Sequence, residues 1–174
     1  LSFEVRDHLF SETLIVSGNA GDQHFLVYER PISWPDASGN IAGRRPIAIA
    51  VELAKSHKNN GRITGEENQK LWVFFPTDKE THTGVIVQGP YCTTPARDNV
   101  PVDDEFNRHL VSETASLLRA SLSAMRGLGV VDAELLSRLP LDESEFEKGS
   151  FLRPLYDAVR AAIKEEPLLP TNKT

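Results

Sequence analysis

The sequence predicts an α+β fold: a mixed, mostly antiparallel sheet with a long helix packed on one face, followed by C-terminal helices. Three observations predict it. Short alternating or β-branched apolar runs fill about the first 100 positions. From Phe106 onward the apolar residues recur at helical spacing instead. Strands precede helices rather than alternating with them, which favours a sheet with helices on one side over a doubly wound parallel sheet.

Phe3-Glu4-Val5-Arg6 alternates and predicts a strand. Leu14-Ile15-Val16 and Phe25-Leu26-Val27-Tyr28 flank Ser17-Gly18-Asn19-Ala20-Gly21-Asp22, and the turn chemistry of that insert predicts a β-hairpin. Pro31 to Arg45, with Pro31, Pro35, Gly39 and Gly43, reads as a polar loop leading into a buried strand, Ile47 to Leu53. Lys55 to Lys70 reads as a polar, mobile loop. Leu71-Trp72-Val73-Phe74-Phe75 is the strongest apolar run, ended by Pro76. Gly84-Val85-Ile86-Val87-Gln88 is expected to be its antiparallel neighbour, with Thr77 to Thr83 as the hairpin connection.

Asp103 or Asp104 can cap the long helix, whose first turn is acidic as the helix dipole favours. Its apolar stripe is Phe106, Leu110, Val111, Leu117, Leu118, Leu122 and Met125, and Gly127 and Gly129 end it. Asp132 caps a short helix with Leu135, Leu136 and Leu139, stopped by Pro140. A third helix starts near Ser150, with Leu152, Leu155, Tyr156, Val159 and Ile163 inward, and ends at Pro167. The expected division is an α/β domain over 1–127 and a helical extension over 128–174.

The chain has 174 residues, 40% hydrophobic and 25% charged, enough for one good core. A net charge of −6 argues against a nucleic-acid partner, whose phosphates demand a concentrated basic surface. No apolar run reaches membrane-spanning length and no signal peptide is visible, so the expected setting is cytoplasmic, without a membrane partner. The lone Cys92 forms no internal disulfide and has no diagnostic nucleophile context. Because residue 1 is Leu, the chain is expected to begin inside a longer protein.

Self-sufficient chemistry is missing from the pattern. There is no Walker loop, nucleophile elbow or dinucleotide fingerprint. His8, His24, His57, His82 and His109 show no helical i, i+4 pair, so no metal site is expected. Asp103-Asp104-Glu105 reads as a solvated helix cap rather than a paired acid/base site. Lys55, Lys58 and Arg62 could touch an anion, and Arg44-Arg45 could form a contact pair or merely enter the strand.

One stretch carries a resemblance. An apolar strand ends in Phe75-Pro76-Thr77, a glycine-led strand starts at Gly84, a polar loop Tyr91 to Val100 centres on Arg97, and Asp104-Glu105-Phe106-Asn107 opens the long helix. This order resembles the segment that follows the nucleotide-binding domain in sacsin-like proteins, and its loop is similar to one in the middle domain of the ninety-kilodalton heat-shock chaperones. Both belong to the Bergerat-fold (GHKL) ATPases. The resemblance spans about residues 46–126. Asp98 stands where the chaperone loop has Glu, and Phe106 where the sacsin pattern has Trp, which retains charge and bulk.

The resemblance implies a fold like domain 2 of ribosomal protein S5. It implies a transducer segment without autonomous activity, whose parent protein would use ATP and Mg²⁺ held by an upstream domain; the Asn-box and Asp-x-Gly-x-Gly of that domain are not in this sequence. It also assigns Arg97 to the γ-phosphate of that domain's nucleotide; beside it Asn99 is a second cofactor-binding candidate, which, like Asn107, could orient the loop or a phosphate or serve as a turn or helix-start hydrogen bonder. Planar, always-charged guanidinium suits that task. The expected partners are the upstream ATP-binding domain and client proteins. Two alternatives stand beside this. Arg97 could pair with Asp98, Asp103 or Asp104 and simply staple its loop, and the whole domain could be a protein-interaction or scaffold module indifferent to nucleotide.

Overall fold

The long helix forms where the apolar spacing places it. A computed structural model describes residues 4–6, 9–18, 21–35, 41–53 and 63–165, and gives side-chain surroundings for 23–33, 45–53 and 65–165. Helix α1 runs Glu105–Gly127, and Asp104 is its N-cap, accepting the Asn107 N–H at 2.8 Å. Leu110, Val111, Leu117, Leu118, Leu122 and Met125 are buried, while Phe106 is half-buried. At the far end Gly129 takes φ +71° and lets the chain reverse. Helix α2, Ala133–Arg138, is capped by Asp132. Helix α3, Arg153–Glu165, starts after a turn over 151–152 rather than at Ser150. Its stripe closes with buried Ala162, and Ile163, expected inward, is turned outward at 40% exposure. Pro167 lies outside the described residues. A short 3-10 helix, Glu143–Glu145, joins α2 to α3.

Eight strands form one sheet among the described residues: β1 Glu4–Arg6, β2 Leu9–Gly18, β3 Gly21–Pro35, β4 Ile41–Leu53, β5 Ile63–Thr64, β6 Lys70–Val73, β7 Phe75–Glu80 and β8 Ile86–Gln88. Their order is β1-β2-β3-β4-β8-β6-β7, with β5 also on β4. The expected β2–β3 hairpin forms, with Leu14 opposite Phe25 and Gly18 opposite Gly21. The segment 31–45 departs from the loop expected there. β3 and β4 continue through it, with Pro31 opposite Pro46 and Ile32 opposite Arg45. Prolines are tolerated because Pro31 lies past the last β2 partner of β3, Glu29, and Pro46 lies before the first β8 partner of β4, Ala48. Neither imide has an outer strand to supply with a hydrogen bond. Of the loop expected over 55–70, residues 55–62 fall outside the described residues, while Ile63–Thr64 form β5 and Lys70 opens β6.

The strongest apolar run also folds differently. It breaks at Phe74, with φ +63°, and Phe75 to Glu80 turns back as the antiparallel partner of β6. β8 therefore pairs with β6 in parallel, Leu71 opposite Val87 and Trp72 opposite Gln88, and is antiparallel only to β4. The sheet is mixed for this reason. Pro76 sits in β7, an edge strand, where its missing N–H does least harm.

Leu26, Tyr28, Ile47, Ile49, Val51, Leu71, Val85 and Val87 face α1 and form one buried cluster with it. Val131, Leu135, Leu139, Phe146, Leu155, Tyr156 and Val159 belong to the same cluster, so the helices after position 127 share the core of the sheet. Arg138 is buried at 7% exposure, with Glu134 at 2.7 Å and the Gly65 carbonyl as partners. Its own carbonyl accepts from the Gly84 N–H at 2.8 Å and the Thr83 hydroxyl at 2.6 Å. A Cβ on Gly84 would lie 2.7 Å from the Glu66 carbonyl oxygen and 2.8 Å from Arg138 Cβ, so only glycine fits this crossing. No helix among the described residues is long and apolar enough to cross a membrane.

Candidate functional site

The loop from Tyr91 to Val100 is held from three sides. Tyr91 is buried, and its hydroxyl lies 3.1 Å from the Thr114 hydroxyl of α1. Thr114 spends its own proton on the Leu110 carbonyl at 2.8 Å, so Tyr91 is the donor. Burial pushes the phenol up to about 12. Asn107, fully buried in the first turn of α1, accepts the Cys92 N–H at 2.7 Å. It donates to the Cys92 and Pro101 carbonyls, each at 3.0 Å. One carboxamide thereby closes both ends of the loop onto the helix. The third tether is the Asp78 N–H of β7, which donates to the Asp98 carbonyl at 2.6 Å.

Between these anchors the backbone makes a compact turn. Thr94 and Asn99 meet through the Thr94 N–H and the Asn99 carbonyl at 3.0 Å, and the Arg97 N–H donates to the Thr94 carbonyl at 2.8 Å. The Thr94 hydroxyl donates to Asp98 Oδ1 at 2.6 Å and accepts the Asn99 N–H at 3.3 Å. Asn99 Oδ1 accepts the Val100 N–H at 2.8 Å. Arg97 stands at the crest with φ +62°, in the left-handed region that non-glycine residues enter rarely.

Arg97 is exposed, and no side chain among the described residues pairs with its guanidinium. The three carboxylates that could have neutralised it are engaged elsewhere. Asp98 takes the Thr94 hydroxyl, Asp103 takes Arg108 at 3.4 Å, and Asp104 caps α1. The sequence brings Arg97 and Asn99 into one turn; the Asn99 side-chain oxygen is used internally, which leaves its amide nitrogen outward. The helix start beneath is occupied by Asp104 with Glu105 behind it, so an anion would meet the turn and not the helix end.

Other sequence candidates do not converge on this place. Partial burial and the nearby Asp104 charge push the Cys92 thiol up, away from the reactive thiolate. His82 sits 3.0 Å from Glu145 and edge-on to Phe146. His109 is exposed, while His8, His57, Lys55, Lys58 and Arg62 lie outside the residues with described surroundings. No group of three His, Cys, Asp or Glu that could hold a metal ion gathers among the described residues. Arg45 lies over the Phe74 ring, 5.6 Å from its centroid.

Sequence reasoning missed two residues that build the turn, Thr94 and Asp78. Thr94 has a visible signal, a threonine five positions before an asparagine across a proline. The Asp78 contact has none, because it depends on β7 existing.

No family model, no curated protein and no solved structure matches this chain.

Proposed function

We propose that this chain is the transducer segment that follows the ATP-binding domain in a sacsin-like GHKL ATPase, and that it offers Arg97 to the nucleotide phosphate of that domain. The observation that carries the reading is the state of the arginine: exposed, unpaired among the described residues, at φ +62° on a turn tied down at both ends. A loop that merely needed a staple would have closed Arg97 onto one of three nearby carboxylates. Here every one of them is satisfied by another donor.

The chemistry follows from the charge. A departing phosphoryl group accumulates negative charge on its oxygens, and a fixed guanidinium neutralises it without reorganising at the moment of reaction. A preset turn holds the ordering cost of the side chain low. Because the contact exists only when two domains close, nucleotide state becomes domain position. Alone, this chain neither binds ATP tightly nor hydrolyses it; ATP and Mg²⁺ belong with the upstream domain.

The test joins this chain to its upstream domain and measures ATP hydrolysis. Arg97→Ala is expected to lower kcat roughly 10–1,000-fold with nucleotide affinity nearly unchanged, and Arg97→Lys to recover part of it. An unchanged kcat rejects the assignment. The second reading, a nucleotide-independent interaction module, is favoured by Phe74, an aromatic side chain 67% exposed.

A further inference from the structure

Leu71 and Val73 belong to the core shared with α1, so by strand alternation Lys70 and Trp72 stand on the opposite face of the sheet. Register sets Trp72 opposite Pro76 and Lys70 opposite Glu80, which gathers the four on one outward patch of the β6–β7 pair. Glu66 and Asn68, from the chain entering β6, complete a cavity of about 210 Å³ around them. Pockets for whole small molecules run to roughly 300–1,000 Å³, so this one suits a single side chain.

The charges in the cavity favour a cation. Asn68 fixes Glu80, donating to Glu80 Oε2 at 3.1 Å while its own oxygen accepts the His82 N–H at 3.0 Å. Glu66 is exposed and has no side-chain partner among the described residues. Lys70, the basic group of the lining, is drawn to Asp78 at 3.3 Å and neutralised there. The same ion pair takes Lys70 away from the indole two positions along its own face. Elsewhere the chain covers its rings: Arg45 lies over Phe74, Lys79 over Phe151, and Arg153 and Arg160 over Tyr156. Indole is the strongest ring partner for a cation, yet Trp72 carries none among the described residues.

We propose that this cavity binds an arginine side chain of a partner polypeptide, with the guanidinium plane on the Trp72 indole, its edge N–H groups on Glu80 and Glu66, and its aliphatic stem against Pro76. Arginine fits because it stacks on an aromatic face while its in-plane donors stay available to carboxylates. A neutral sugar would stack on the indole without drawing on either carboxylate charge. A basic partner also complements the net charge of −6 on this chain.

The experiment titrates the isotope-labelled 174-residue chain with an acetyl-Gly-Arg-Gly-amide peptide and follows the indole N–H resonance of Trp72, identified by its loss in Trp72→Phe. A saturable shift is expected at roughly millimolar peptide. The same peptide with neutral citrulline in place of arginine is expected to bind about tenfold more weakly. Glu66→Gln and Glu80→Gln are each expected to weaken the arginine peptide about threefold, with thermal midpoints unchanged because both side chains are exposed. No shift with the arginine peptide, an equal shift with the citrulline peptide, or unchanged binding in both glutamine variants overturns the proposal. A shift with a cello-oligosaccharide and none with arginine makes the cavity a sugar site instead. Arg97 takes no part in these readouts, so this inference and the proposed function fail separately.

Discussion

At the scale of single residues, the turn that carries Arg97 depends on Asn107 more than on anything inside the turn. Its carboxamide uses one acceptor and both donors on loop backbone. Asn107→Ala leaves a part-buried N–H and two part-buried carbonyls without this partner, at a cost of about 1–3 kcal/mol. Urea denaturation is expected to show that loss, and a loosened loop should also weaken any function of Arg97. Tyr91 makes a pH prediction. Its folded pKa, about 12, lies above the ordinary value near 10. Stability from keeping the phenol neutral is complete below pH 10 and falls as pH rises from about 10 to 12, by up to about 3 kcal/mol. Denaturation midpoints measured across that window should drop, and Tyr91→Phe should flatten the drop.

What sequence could show at this scale was identity and spacing. Arg97 and its acidic neighbours were legible; that Asp98 would choose Thr94, and Asp103 would choose Arg108, was not, because side-chain partners depend on a backbone path through φ +62° that composition does not reveal. Arg138 teaches the same lesson. It is buried where Gly84 leaves it space, paired with Glu134 and donating to the Gly65 carbonyl, and none of these partners can be read from its own short helix alone.

At the scale of elements, the helices were the legible part. The stripe from Leu110 to Met125, the Asp104 and Asp132 caps and the Gly129 stop are local features, so local spacing predicts them. The strands were legible as apolar runs but not in their partners. A break at Phe74 turns one expected strand into two and changes the β6–β8 pairing from antiparallel to parallel, and nothing within either run encodes that choice. Across 31–45, Pro and Gly outweighed the weaker strand pattern around Ile32. The crossing of 83–84 against α2 carries its own prediction. Gly84→Ala forces a Cβ to within 2.7 Å of backbone and 2.8 Å of Arg138, and should cost about 1–3 kcal/mol, read as a lowered thermal midpoint.

At the scale of the whole molecule, one buried cluster joins the sheet to all three helices among the described residues. Arg153 shows how closely the last segments are tied. It reaches the Phe146 carbonyl at 2.7 Å, Glu143 at 3.0 Å and Asp157 at 2.9 Å while stacking on Tyr156 at 4.6 Å. Asn107 ties the Arg97 turn to α1, and α1 in turn packs against α3.

The bond from Asp78 to Asp98 has a further consequence. β7 ends the sheet, and an unguarded outer strand is where foreign chains add themselves. The arginine turn lies across that margin and takes up one of its outward amides. When the turn lifts, the same amide becomes available to another polypeptide, so conditions that free the loop should also expose the protein to self-association.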